Sequence, residues 1–220
     1  KYFVTVRATD KAGHSVTASS DGFFIDLTPP DVSSVKAYFG LEGQYVDDSG
    51  AVIDQKFTSL PYALGFHWGD EAVDPETGVL RYDLAIGTQP GVTDVSYYIT
   101  GSQQRQGAVG MLNLRHGQTY YGVVRTLNKV GLHTNFSIPV TVDMTPAVCQ
   151  LLDGDVAGQD LDFTARLFPR LQFSCNDPES DILKTEVAVG YSPGAGDLLA
   201  FREVDAALLR GGLFKDDTRG

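Results

Sequence analysis

Apolar and polar residues alternate with a period of two through much of this chain. In PYALGFHW (61–68), Tyr62, Leu64, Phe66 and Trp68 share one face, and Ala63, Gly65 and His67 share the other. In LRYDLAIG (80–87), Leu80, Tyr82, Leu84 and Ile86 do the same. Successive side chains of a strand point to opposite sides, so this pattern predicts half-buried antiparallel strands with one face on a core. DPETG (74–78) reads as the turn between the two. Its proline pre-sets φ, its acidic residues bond local backbone, and Gly78 takes φ > 0. YGVVRTLN (121–128), KVG and LHTNFSIPVTVD (132–143) read as a strand, a turn and a returning strand. No window combines a helical period with capping residues.

The pattern repeats. A shift of 103 residues aligns DPETGVL (74–80) with DPESDIL (177–183), and AIGTQPG (85–91) with AVGYSPG (188–194). The register continues without a gap to Asp94 and Asp197. A shift of 118 aligns YFVTVRATDKAG (2–13) with YYGVVRTLNKVG (120–131), and a shift of 117 aligns IDLTPP (25–30) with VDMTPA (142–147). Self-similarity at long period marks a repeat architecture. Only the middle of the chain holds both halves of the unit. The predicted organisation is 1–28 as the end of a preceding unit, 29–145 as a complete unit, and 146–220 as the first part of a following one.

Composition narrows the function classes. The 220 residues carry a net charge of −11, which offers little to neutralise nucleic-acid phosphates or to attract an anionic membrane. No apolar run reaches the ~18–20 residues of a membrane-spanning helix. Ten Tyr, twelve Phe and one Trp argue against disorder, and 24 Gly and 10 Pro, scattered along the chain, suit many short strands joined by turns.

LRHGQTYYGVVRTLN (114–128) resembles the Leu-x-x-Gly-x-x-Tyr signature of fibronectin type III domains. The resemblance implies an all-β fold of tandem antiparallel Ig-like, fibronectin type III-like β-sandwiches. It places Leu114, Gly117 and Tyr120 at a tyrosine corner, Trp68 at a core position of strand B and Tyr82 at one of strand C. In the first segment Tyr2, Val4, Val6 and Ala8 are then the inward face of strand F. In the last, RLQFSCNDPES occupies strand B without a Trp, with Leu171, Phe173 and Cys175 all open as its substitute. The unit exceeds an ordinary type III repeat chiefly in GLEGQYVDDSGAVIDQ (40–55). Cys149 and Cys175 fall on neighbouring predicted strands A and B, so a disulfide and two buried thiols are both open.

Candidate chemistry is sparse. AIGTQPG has neither GxGxxG nor GxxxxGK[ST] spacing and is followed by a strand, so it reads as a turn and not a phosphate cradle. Asp153, Asp155, Asp160 and Asp162 fail the EF-hand spacing, because positions 5 and 12 from Asp153 are Ala157 and Thr164. His14, His67, His116 and His133 show no ligand spacing. No nucleophile elbow is present. No catalytic residue or cofactor is expected and no metal site is assigned; irregular calcium binding between tandem sandwiches and a solvated acidic loop are both open. Asn135 heads the one N-x-[ST] sequon, NFS, a candidate glycosylation site.

The expectation is a structural or adhesive segment of an extracellular or cell-surface multi-repeat protein, acting as a semi-rigid rod or interaction scaffold. Its partners would be other repeats of the same protein, extracellular partners or further copies of itself, with no nucleic acid and no membrane span in this segment. Two alternatives stand beside it. One is a binding module using loops such as 41–56 for a receptor or glycan. The other is a filament subunit in which one copy's strands complete the next copy's sandwich.

Overall fold

The computed structural model describes residues 1–46, 49–153, 158, 160–163 and 171–204. The described residues are all-β, with no helix among them. The chain divides into two compact units, Lys1–Met144 and Thr145–Gly220.

The first unit opens with a hairpin of β1 (Thr5–Thr9) and β2 (Ser15–Ser19). Two sheets follow. One has three strands in the order β3 (Ala37–Phe39), β5 (Leu64–Trp68) and β8 (Gln106–Val109). The other has five, in the order β4 (Phe57–Thr58), β10 (His133–Val142), β9 (Thr119–Asn128), β6 (Val79–Gly87) and β7 (Ile99–Thr100). All pairings are antiparallel except β4 with β10.

The two sheets share one core. Leu64, Phe66 and Trp68 of β5 meet Tyr82, Leu84 and Ile86 of β6, Tyr120 and Val124 of β9, and Ile138, Val140 and Val142 of β10. The Trp68 ring lies edge-on to Tyr82 at 5.4 Å and to Phe136 at 6.0 Å. Such pairs add ~0.5–1.5 kcal/mol to the area they bury. Gly122 is needed at its position, because a Cβ there would strike the Phe66 ring. This is two sheets packed face to face, the arrangement of a β-sandwich.

Four details depart from the period-two reading. Tyr62 precedes β5 and is exposed, so it does not share the face of Leu64. Leu80 is exposed because the β6–β9 register shifts between Val79 and Arg81, and a bulge moves it off the face of Tyr82. His67, on the polar face, is nevertheless buried. The whole expected inward face of β1 is also exposed, with Tyr2, Val4 and Val6 between 56% and 63% accessible.

In the second unit β11 (Val148–Asp153) pairs with β12 (Leu171–Asn176), and β13 (Glu186–Val189) pairs with β14 (Leu199–Glu203). A disulfide joins Cys149 to Cys175, directly paired residues with Cα atoms 4.1 Å apart.

The sequence repeat recurs bond by bond. Asp83 and Leu84 pair with Thr100 and Ile99, and their 103-residue counterparts Glu186 and Val187 pair with Glu203 and Arg202. Asp94 accepts the N–H of Thr88 at 2.8 Å, and Asp197 accepts that of Tyr191 at 3.1 Å. Val95 N–H donates to the Ile86 carbonyl as Leu198 N–H does to that of Val189. The Asp31–Val73 bridge corresponds to the Val148–Asn176 pair. Carried back along β12 without a gap, that correspondence puts Leu171 at the position of Trp68.

Candidate functional site

A dense polar cluster lies where the opening segment meets the two-sheet body. Asp26 and Thr28 end the opening segment, Asp74 and Thr77 form the turn before β6, and Asn128 ends β9. Asn128 Oδ1 accepts the N–H groups of Val130 (3.2 Å) and Leu132 (2.9 Å), which fixes the orientation of its amide. Its Nδ2 then points at Asp26 Oδ2 (2.8 Å), Asp74 Oδ2 (3.1 Å) and the Thr28 carbonyl (3.1 Å). The Thr77 hydroxyl donates to Asp26 Oδ2 at 2.6 Å. Asp74 Oδ1 takes the N–H groups of Thr77 (2.8 Å) and Gly78 (2.9 Å). Desolvation works to raise the Asp74 pKa, but these hydrogen bonds outweigh it and hold the carboxyl below its ordinary value. Buried acids satisfied by neutral donors fasten one backbone to another, and the cluster holds no activated nucleophile.

Another buried acid lies on the outer side of the five-stranded sheet. Asp83 is fully buried and accepts from Arg81 Nε (3.0 Å), Arg125 Nη2 (2.9 Å) and Gly101 N–H (3.2 Å). The Arg125 guanidinium rests on the Tyr98 ring at 4.0 Å. Burial again opposes ionisation, and the two arginines reverse it, leaving the Asp83 pKa lowered.

The residues singled out from sequence fall into place as follows. Trp68, Tyr82, Leu114 and Tyr120 are all buried. The Tyr120 hydroxyl accepts the Arg115 N–H at 3.0 Å, so the ring ties back to the chain just upstream. Gly117 has φ 74° and donates its N–H to Val142 O at 2.7 Å. Asn135 is exposed near the start of β10. The sequon hydroxyl of Ser137 accepts the Gly91 N–H at 3.0 Å. Gly91, at φ 75°, closes the AIGTQPG turn. Asp153 Oδ1 accepts the Leu161 N–H at 3.1 Å and Asp160 Oδ1 the Asp153 N–H at 3.4 Å. These acids bond their own loop. Asp155 lies outside the described residues. His14 bonds Asp10 at 3.1 Å, and His116 Nδ1 accepts the Met144 N–H at 3.1 Å.

Sequence reasoning did not anticipate Asp26, Asn128 and Asp83. A signal for two of them was present: Asp10 and Asn128, and Asp26 and Asp143, occupy matching positions of the repeat.

One cleft of about 280 Å³ opens on the outer side of the three-stranded sheet. Lys36, Tyr38, His67, Glu71 and Arg105 line it, with Glu42 and Val52 from the 41–56 loop. The His67 ring stacks on Tyr38 at 5.3 Å, and His67 Nδ1 is 2.8 Å from the Gly40 carbonyl. Arg105 and Asp70 pair at 2.9 Å on the same cleft.

No family model matches the chain, and no curated protein matches it.

Proposed function

We propose that this chain is a structural segment of an extracellular multi-repeat protein, built from tandem fibronectin type III-like sandwiches. The observation that carries this reading is the recurrence of the same strand pairing and turn bonds 103 residues apart. Three further features favour the Ig-like class. The strand orders β3-β5-β8 and β4-β10-β9-β6-β7 match those of sheets A-B-E and G-F-C-C′ with an added A′ edge. The tyrosine at the start of β9 bonds back upstream. The disulfide suits an oxidising compartment. On this reading 1–28 stand as the last two strands of a preceding sandwich, and the Thr-Pro segments at 28–30 and 145–147 are joints between repeats.

The Asp26–Asn128–Asp74 cluster supports a stiff first joint, because it fixes the segment leading into the sandwich by buried hydrogen bonds and not only by proline. Small-angle X-ray scattering on the chain and on Asn128→Ala tests this. The expected result is a broader distribution of interatomic distances in the variant. Freely jointed behaviour already present in the parent chain would overturn the rod.

A further inference from the structure

We propose that the cleft on the outer side of β3 and β5 binds a small hydroxyl-rich ligand, the size of one sugar residue. The inference is separate from the rod reading, which stands or falls without it.

Strand alternation turns His67 away from the core, yet it is only 8% accessible. Its Nδ1 carries a proton toward the Gly40 carbonyl at 2.8 Å, so in the neutral ring Nε2 keeps its lone pair. That Nε2 has no hydrogen-bond partner among the described residues, and neither has Glu71 Oε2 on the same cleft. Buried polar atoms are nearly always paired, so two lining residues of one cleft that each carry an unpaired acceptor mark a place for something that donates. The cleft also supplies a donor, since the Lys36 ammonium makes no ion pair among the described residues. The Arg105 charge is already met by Asp70 at 2.9 Å.

This inventory selects the ligand class. An anion accepts only, and would leave His67 Nε2 and Glu71 Oε2 as they are. An ammonium donates only, and would face Lys36. A hydroxyl group donates and accepts, so a ligand bearing several can donate to His67 and Glu71 and accept from Lys36. The volume of about 280 Å³ sits at the small end of ligand sites, which run from about 300 Å³ upward. Tyr38 adds an aromatic ring to the lining. Both unpaired acceptors are screened from water in the free protein. The Glu71 carboxylate folds back over Gly69, where a Cβ would collide with it. Rotation of this flexible side chain turns its carboxylate toward an incoming hydroxyl.

The test is titration of the ¹⁵N-labelled chain with glucose, galactose, mannose and N-acetylglucosamine, each to tens of millimolar. Glycine, acetate and calcium chloride serve as comparison arms. At least one sugar is expected to give saturable shifts at Lys36, His67, Gly69 and Glu71. Glu71→Ala is expected to weaken that sugar about tenfold, as loss of a charged hydrogen-bond partner does. Tyr38→Ala is expected to weaken it as well, and the spectra themselves report whether each variant is folded. The proposal is overturned if no sugar saturates these resonances. It is overturned equally if glycine, acetate or calcium shifts them more than the sugars do, or if Glu71→Ala leaves the affinity unchanged in a folded chain.

Discussion

The chain contains two versions of one hairpin, and they differ in burial. In β9–β10, Val124 pairs with Phe136, and in β1–β2 the matching Val6 pairs with Ala18 in the same register. Asn128 accepts the N–H groups of Val130 and Leu132, and the matching Asp10 accepts those of Ala12 and His14. Yet Val124 is 0% accessible and Val6 63%, and Tyr120 is 4% where Tyr2 is 58%. Alternation and turn chemistry specify the hairpin locally. Burial comes from the opposing sheet, which β9–β10 has and β1–β2 lacks among the described residues. β6–β7 and β13–β14 repeat the lesson: Arg81–Asp83 and Lys184–Glu186 are matching ion pairs, but the first acid is fully buried and the second is 38% accessible.

The largest expected effect tests that last contrast. Asp83→Ala removes a fully buried carboxylate that accepts three hydrogen bonds, and leaves two arginines, each about a third exposed, without that partner; it should cost about 3–5 kcal/mol. Glu186→Ala should cost less than about 0.5 kcal/mol, because an exposed pair is solvated with or without its partner. Urea denaturation read by the fluorescence of the single Trp68 measures the first, and hydrogen exchange of β13–β14 the second. Equal costs would break the comparison. The buried acids Asp83 and Asp74 act on the acid limit. Asp83 and Asp74 have folded pKa values below their unfolded ones. Their contribution is therefore complete above the unfolded carboxyl value of about 4 and is lost as pH falls through the folded values. Urea midpoints should hold from pH 7 to about 5 and drop below about 4, with a shallower drop in Asp83→Ala.

Next in size is the disulfide, which belongs to the second unit alone. Reducing a bridge that spans 26 residues should cost that unit about 3 kcal/mol. Hydrogen exchange in β11–β12 should quicken while the Trp68 unfolding curve stays in place. A shifted Trp68 curve would mean that the two units unfold together. Smaller again, Val124→Ala should cost about 2 kcal/mol and Val6→Ala less than about 0.5. If Val6→Ala is as costly as Val124→Ala, the face of β1 is covered in solution.

What was legible in the sequence follows the same division. The strands β5, β6, β9 and β10 and the turns at 74–78 and 85–91 could be read, because each depends on neighbours in sequence; the short strands β3, β4, β7 and β8 could not, and the positions of Trp68, Tyr82 and Tyr120 came from the resemblance to fibronectin type III domains. Leu80 was misplaced because a one-residue bulge resets the face, and periodicity carries no mark of it. Tyr62 was misplaced because the alternation runs on past the strand's end. The Asp26–Asn128 bond joins residues 102 apart, so only the repeated Asp and Asn positions hinted at it. His67 looked solvent-facing by pattern and is buried by Tyr38, whose arrival depends on how β3 pairs with β5.

The smallest effect concerns one backbone conformation written with two residues. Gly78 ends the DPETG turn at φ 76°, and its counterpart Asp181 ends DPESD at φ 59°. A side chain in this left-handed region costs roughly 1–2 kcal/mol, less for Asp, whose short polar group is tolerated there. The bond pattern around both turns is shared: Asp74 accepts the N–H of Thr77 at 2.8 Å, and Asp177 that of Ser180 at 2.9 Å. Exchanging the two residues separates conformation from context. Gly78→Asp should cost about 1 kcal/mol on the Trp68 unfolding curve, and Asp181→Gly should slow hydrogen exchange at Ser180 and Asp181 about two- to fivefold. Opposite signs at matching positions are expected if the turn is one structure used twice. Equal signs would mean that surrounding packing, and not the shared φ, decides what each turn tolerates.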